Sequence, residues 1–293
     1  MAWDQISITV PHEFVEPISH VFERYGHGVG IQSLNKNDAQ ITTFLPSGSD
    51  SRMARIEIGV NLAKSIATMG DLEISPLSNE TDWRNAWKEH FSVLHITDKI
   101  VIKPSWLDYT AASHEMVIEI DPGFAFGTGY HPTTHSCLAL LQTYIATGDN
   151  VLDLGTGSGI LSIAASKLGA GQIVGLDIDP LCIKAANQNA KMCGVNDNTK
   201  FQTGTLPSSQ FHEDTYDCVV ANISARIGIQ KSLEIMKIIK PSGALILSGI
   251  INNQAADTIQ HYETVGLIEQ QYWKDDWVTF LIRKPITKVV NDA

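Results

Sequence analysis

At 293 residues the chain exceeds what one hydrophobic core usually serves, and its 43% hydrophobic content suffices for a substantial interior, so two domains are expected. With 21 Lys+Arg against 32 Asp+Glu, the formal charge of -11 opposes direct nucleic-acid binding and favours basic partners. Four cysteines with no CxxC pair and no zinc-spaced histidine argue against a metal centre or disulfide framework; no apolar run reaches the ~18 residues of a membrane span, and MAWDQISITV carries an acid where a signal peptide carries bases, so a cytoplasmic protein is expected.

In chain order, Ile6, Ile8 and Val10 alternate with Ser7 and Thr9, the two-residue period of a half-buried strand. A helix follows with Phe14, Ile18, Val21, Phe22 and Tyr25 on one face; Pro17 trims its start, and Gly26 is expected to end it in a left-handed turn. Strands near Val29 to Ser33 and Gln40 to Leu45, a helix from about Arg52 to Met69 and a strand near Leu72 to Ser75 complete the order βαββαβ, which is ferredoxin-like. Residues 1–78 are therefore read as an α+β domain with one helix-covered and one open sheet face, which suits a binding platform. In NETDWRNAWKEHF, Asp82 can cap a short helix, and Trp83, Trp87 and Phe91 recur every four residues. Residues 79–92 are read as a linker helix whose tryptophans pack on a domain face.

The third segment, 93–293, opens with the strands IVIKPSW and MVIEIDPG, then a glycine loop and an amphipathic helix in FAFGTGYHPTTHSCLALLQTYI. From Asn150 strands and helices alternate: VLDLG, a helix from Gly159 to Leu168, IVGLDI, a helix from Pro180 to Met192, a short strand at Lys200 to Gln202, CVVAN, a helix from about Ala225 to Ile239, GALILSG and a helix from Asn253 to Val265. The ending GLIEQQYWKDDWVTFLIRK has two strand-like runs around Lys274-Asp275-Asp276 with no helix between them. A parallel α/β sheet closed by an antiparallel hairpin is the seven-stranded, Rossmann-like arrangement of S-adenosylmethionine (AdoMet)-dependent methyltransferases, whereas dinucleotide-binding folds continue in parallel.

The loop supports the same choice. Gly155, Gly157 and Gly159 form GxGxG, and Ile160 stands where a dinucleotide fingerprint wants its last glycine. Backbone without Cβ lets the chain turn sharply and approach a ligand, and the helix N-terminus would meet the carboxylate of AdoMet's amino-acid tail. Asp177, 22 residues after Gly155, can accept hydrogen bonds from both ribose hydroxyls, a role common to NAD and AdoMet sites. Asp179 reads as the cap of the next helix, with Pro180 at its first position. Asp153 has two roles open, one toward the ligand amine and one toward the loop. Asn222, in VVANIS at a strand's carboxyl end, can accept a hydrogen bond from a substrate amine, and the lack of the prolines and aromatic of an Asn-Pro-Pro-Tyr motif favours an aliphatic amine over a flat base.

These stretches carry a resemblance. DPGFAFGTGYHPTT, LDLGTGSGILSIAA, LDIDP and ANI, with the KPSW strand and the tryptophan-rich connector, resemble the ribosomal protein L11 methyltransferase family over nearly the whole chain. The resemblance implies AdoMet-dependent methylation of lysine ε-amines and the N-terminal α-amine of ribosomal protein L11, with residues 1–78 recognising that protein. It also implies AdoMet contacts for Thr134, Gly155, Asp177 and Asn222. His131 and Thr133 match as well, with cap or turn roles open to them. Three other readings stay in view: a protein lysine methyltransferase with another substrate, a nicotinamide-dependent oxidoreductase, which Ile160 and the hairpin oppose, and a non-catalytic AdoMet-binding regulator.

Overall fold

The computed structural model describes residues 3–35, 37–65, 67–77, 92–121, 127 and 129–286, and the chain divides by its contacts into two units, Met1–Ser92 and Val93–Ala293. The expected linker helix lies, apart from Ser92, outside the described residues. Among those residues no helix is long and apolar enough to cross a membrane, and all four cysteines are free thiols.

In the first unit, β1 (Trp3–Pro11), β2 (His27–Ser33), β3 (Asp38–Pro46) and β4 (Glu73–Leu77) form an antiparallel sheet in the order β2-β3-β1-β4, with α1 (Val15–Tyr25) and α2 (Asp50–Lys64) in the ferredoxin-like positions. Ile6, Ile8 and Val10 pair with Thr43, Ile41 and Ala39, and Ile6, Ile8, Val10 and Ile41 join Ile18, Phe22, Ile56 and Val60 in one buried cluster. The opposite sheet face is not wholly open, since Ser7, Thr42 and Phe44 are buried on it. Pro17 falls in the first turn of α1, where its missing N–H would have had no helical partner. Gly26 is extended (φ −98°, ψ −167°) and not left-handed. Glycine is needed there for space: a Cβ would stand 2.0 Å from Thr43 Oγ1 and 2.8 Å from the Phe22 carbonyl oxygen.

The second unit begins with a small sheet of β5 (Leu94–His95), β6 (Ile100–Pro104) and β7 (Met116–Ile120), in which β6 and β7 run parallel. Helix α3 (Pro132–Tyr144) leads into the main sheet. Its strands are β8 (Asn150–Leu154), β9 (Gln172–Asp177), β10 (Thr199–Thr203), β11 (Tyr216–Asn222), β12 (Ile239–Ile251), β13 (Leu267–Lys274) and β14 (Trp277–Arg283), in the order β10-β9-β8-β11-β12-β14-β13. The first five are parallel, and β14 enters antiparallel between β12 and β13. The chain sequence puts α4 (Ile160–Lys167) and α5 (Pro180–Met192) in the β8-to-β10 half and α6 (Ala225–Gln230), α7 (Ser232–Ile238) and α8 (Ala255–Tyr262) in the other.

Alternation along the strands feeds two cores, one on each face. Val151, Cys218, Val220, Ala244, Ile246 and Leu281 point to α3, α4 and α5; Leu152, Leu154, Val219, Ala221, Leu245, Leu247 and Phe280 point to α6, α7 and α8. The single helix expected from Ala225 to Ile239 is two helices broken at Lys231, and β12 already starts at Ile239. The Gly228 carbonyl, which an unbroken helix would offer to the Ser232 N–H, instead accepts the Tyr262 hydroxyl at 2.8 Å. Strand order reverses between β8 and β11, so the carboxyl ends of these neighbours flank the switch point where open α/β sheets hold ligands.

Candidate active site

Strand β8 ends in the glycine turn. Gly155 has φ +77°, and a Cβ on it would lie 2.7 Å from Ile223 Cγ2, so the turn is packed against the residue that follows β11. The Gly155 and Thr156 N–H groups donate to the Leu176 carbonyl at 2.8 and 2.9 Å, which pins the loop to the end of β9. There the Asp177 carboxylate accepts from Gly157 N–H (2.9 Å) and Asp179 N–H (3.0 Å), one on each oxygen. The structure thus joins Gly157 and Asp177 and aims a part-exposed carboxylate with lone pairs to spare. Asp179 caps α5 by accepting from Leu181 N–H at 2.8 Å.

Asp153 is fully buried at the last turn of β8. Its Oδ2 accepts from Thr156 Oγ1 (2.7 Å), Ser162 Oγ (2.7 Å) and Ser162 N–H (3.1 Å), so it ties the loop to α4. Its Oδ1 has no partner among the described residues. Burial pushes its carboxyl up to about 6 against the pull of those hydrogen bonds, and the Asp177 charge adds to the rise.

At the end of β11, Asn222 Nδ2 donates to the buried Thr134 Oγ1 at 3.4 Å, which links the strand to the first turn of α3. The amide Oδ1 of Asn222 receives no hydrogen bond among the described residues and is left as an acceptor at the switch point. His131, and not Thr133, is the N-cap of α3: its Nδ1 accepts from Thr133 N–H at 3.3 Å and lies 2.7 Å from Thr133 Oγ1, and Pro132 takes the first helical position. An Nδ1 that accepts leaves the ring proton on Nε2. Burial pulls the imidazole down to about 4, only partly offset by Asp275, so the ring is neutral at pH 7. It meets Trp277 edge-on with centroids 4.8 Å apart.

Sequence reasoning missed three contributors. Asn189 on α5 is buried, donates to the Ser158 carbonyl at 2.8 Å and accepts from Asp121 N–H at 3.2 Å, so it clamps the glycine loop to the residue that follows β7. Ser158 Oγ in turn donates to the Gly127 carbonyl at 2.6 Å. The available signal was a polar residue on the otherwise buried Ala186–Ala190 face of the helix. Ile178, beside Asp177, is 76% exposed and presents an apolar surface next to that carboxylate.

A family model described as ribosomal protein L11 methyltransferase (PrmA) matches residues 2–285. The chain belongs to this family. A ribosomal protein L11 methyltransferase of Herpetosiphon aurantiacus is 35% identical over 98% of this chain and its own full length, and one of Geobacillus thermodenitrificans is 35% identical over 97% of this chain and all of its own. The crystal structure of a ribosomal protein L11 methylase from Lactobacillus delbrueckii subsp. bulgaricus is similar at a TM-score of 0.62 and 30% identity, covering 67% of this chain and all of that one. The protein is accordingly an AdoMet-dependent protein methyltransferase. Its residues fit that cofactor: the Asp177 carboxylate suits ribose hydroxyls, the N-terminus of α4 suits a carboxylate, and the partnerless Asp153 Oδ1 suits nearby positive charge.

Proposed function

We propose that this chain methylates ribosomal protein L11 on lysine ε-amines and on the N-terminal α-amine, acting in the cytoplasm, with residues 1–78 recognising the substrate. The observation that carries the reading is the meeting of Asn222 and the Gly155 turn at the ends of neighbouring strands, one presenting an amine acceptor and the other a cofactor cradle. In this reading Gly155, Gly157 and Asp177 hold AdoMet, and Thr134 and Asn222 line its methyl side.

AdoMet supplies an electrophilic methyl group to a neutral amine. A lysine with pKa ~10.4 must lose its proton first, a penalty of roughly 4 to 5 kcal/mol at pH 7. The neutral His131 adds no competing positive charge to the site. Asn222 Oδ1 accepts one amine N–H and turns the lone pair toward the donor, and the Thr134 hydroxyl anchors the other end of the amide. Mass spectrometry of a mixture of ribosomal proteins that includes L11, after incubation with the enzyme and AdoMet, tests the proposal: mass gains in steps of roughly 14 Da per methyl on lysines and the N-terminus of L11 are expected, and unmodified L11 with another protein labelled would overturn it.

A further inference from the structure

We infer that Asp153 changes protonation state when the cofactor binds, so that filling the site releases a proton to solvent. The inference rests on the AdoMet assignment above. It starts from geometry: Asp153 is fully buried, all three of its hydrogen bonds fall on Oδ2, and Oδ1 has none among the described residues. Among the described residues the groups around it give no compensating cation. Its strand neighbours are Gly175 on β9 and Val220 on β11; α4 contributes the Ser162 hydroxyl, and the loop contributes Thr156. The titratable groups that couple to it are the Asp177 carboxylate at the end of β9, which repels the anion, and the Cys137 thiol of α3, which burial keeps neutral.

In the ligand-free protein these surroundings hold the carboxyl up to about 6, so about half the molecules carry the proton at pH 6 and about a tenth at pH 7. AdoMet carries a sulfonium, an ammonium and a carboxylate, a net charge of about +1; with the carboxylate neutralised at the N-terminus of α4, the two cations would stand near the end of β8. Their positive charge favours the carboxylate, the O–H bond of Asp153 breaks, and the proton goes to water with no covalent change in the cofactor. Both roles left open for Asp153 by the sequence then belong to one residue: Oδ2 holds the loop, and the carboxylate's charge balances the ligand.

Calorimetric titration of the full-length protein with AdoMet in two buffers of different ionisation enthalpy counts the protons. The α-amine of AdoMet, near 7.7–8.0, stays protonated at pH 6 and does not contribute. About half a proton released per AdoMet is expected at pH 6 and less at pH 7, where fewer molecules carry the Asp153 proton, with release at pH 6 near zero in Asp153→Asn. Infrared difference spectra of the unsubstituted protein at pH 6 are expected to lose a protonated-carboxyl band on adding AdoMet, which keeps the test open if the variant does not fold. Binding heat that does not depend on buffer, or undiminished release in Asp153→Asn, overturns this inference alone. No binding heat at either pH overturns the cofactor assignment and the inference with it.

Discussion

Asn222 and Thr134 are 88 residues apart in sequence and share a hydrogen bond of 3.4 Å, amide nitrogen to hydroxyl oxygen. Through it the first turn of α3 anchors the Asn222 side chain beside the switch point. Thr134→Val keeps the volume and removes the acceptor. Its loss is worth about 0.5–1.5 kcal/mol, and kcat is expected to fall about 2- to 12-fold with AdoMet affinity little changed. Thr134→Ser restores the rate because the hydroxyl returns. Steady-state kinetics on L11 with calorimetry of AdoMet decide it; equal rates for Val and Ser would remove Thr134 from this positioning role.

The strands of the main sheet were legible because alternating apolar residues such as Val151 and Leu152 each had a helix layer to face. The glycine turn was legible as a residue type, since the positive φ at Gly155, Gly157 and Gly159 favours residues without Cβ. What stayed hidden depends on partners far away in the chain. The break at Lys231 is set by Tyr262, the need for glycine at position 26 by Thr43, and the role of Asn189 by Asp121 and Ser158. The capping of α3 by His131 was hidden for a local reason, because histidine is not among the usual caps and Thr133 beside it looked better suited.

Two buried groups near the site oppose each other in their pH dependence. Asp153, raised from 3.8 to about 6, contributes stability that is complete below 3.8 and is lost as pH climbs through about 6. His131, lowered from 6.5 to about 4, contributes stability that is complete above 6.5 and is lost as pH falls through about 4. Each amounts to about 3 kcal/mol, so between pH 4 and 6.5 they nearly cancel. Relative to the unsubstituted protein, urea denaturation across that window is expected to show stability falling more steeply as pH rises in His131→Asn and rising more steeply in Asp153→Asn, the other lowered histidines, His27 and His135, adding the same slope to all three. Parallel pH profiles for the two variants would sink the assignment.

Gly155 couples the cofactor turn to the acceptor residue. An alanine there meets two obstacles: φ of +77°, which costs about 1–2 kcal/mol for a residue with Cβ, and a contact of 2.7 Å with Ile223 Cγ2. Ile223 follows Asn222 directly, so relief of the clash moves the end of β11. Gly155→Ala is expected to weaken AdoMet binding about 10-fold or more and to lower kcat at saturating AdoMet as well. A variant with weakened binding and an unchanged saturated rate would show that the turn and Asn222 are independent.

If residues 1–78 hold the substrate, their loss separates recognition from chemistry. The cofactor residues Gly155, Gly157 and Asp177 and the acceptor residue Asn222 all lie in the second unit, whose two cores are built from its own residues. A chain starting at residue 79 is therefore expected to fold and to bind AdoMet within about 3-fold of the full-length affinity, a difference of less than about 1 kcal/mol. Its methylation of intact L11 is expected to fall at least 100-fold, because the substrate must then be captured by the methyl site alone, without the effective concentration that a second contact supplies. Binding by calorimetry, checked against circular dichroism for folding, comes first; mass spectrometry of L11 follows. Full-rate methylation by the shortened chain would place substrate recognition in the catalytic unit, and short lysine peptides, which barely touch the first unit on the present reading, are expected to react equally with both chains.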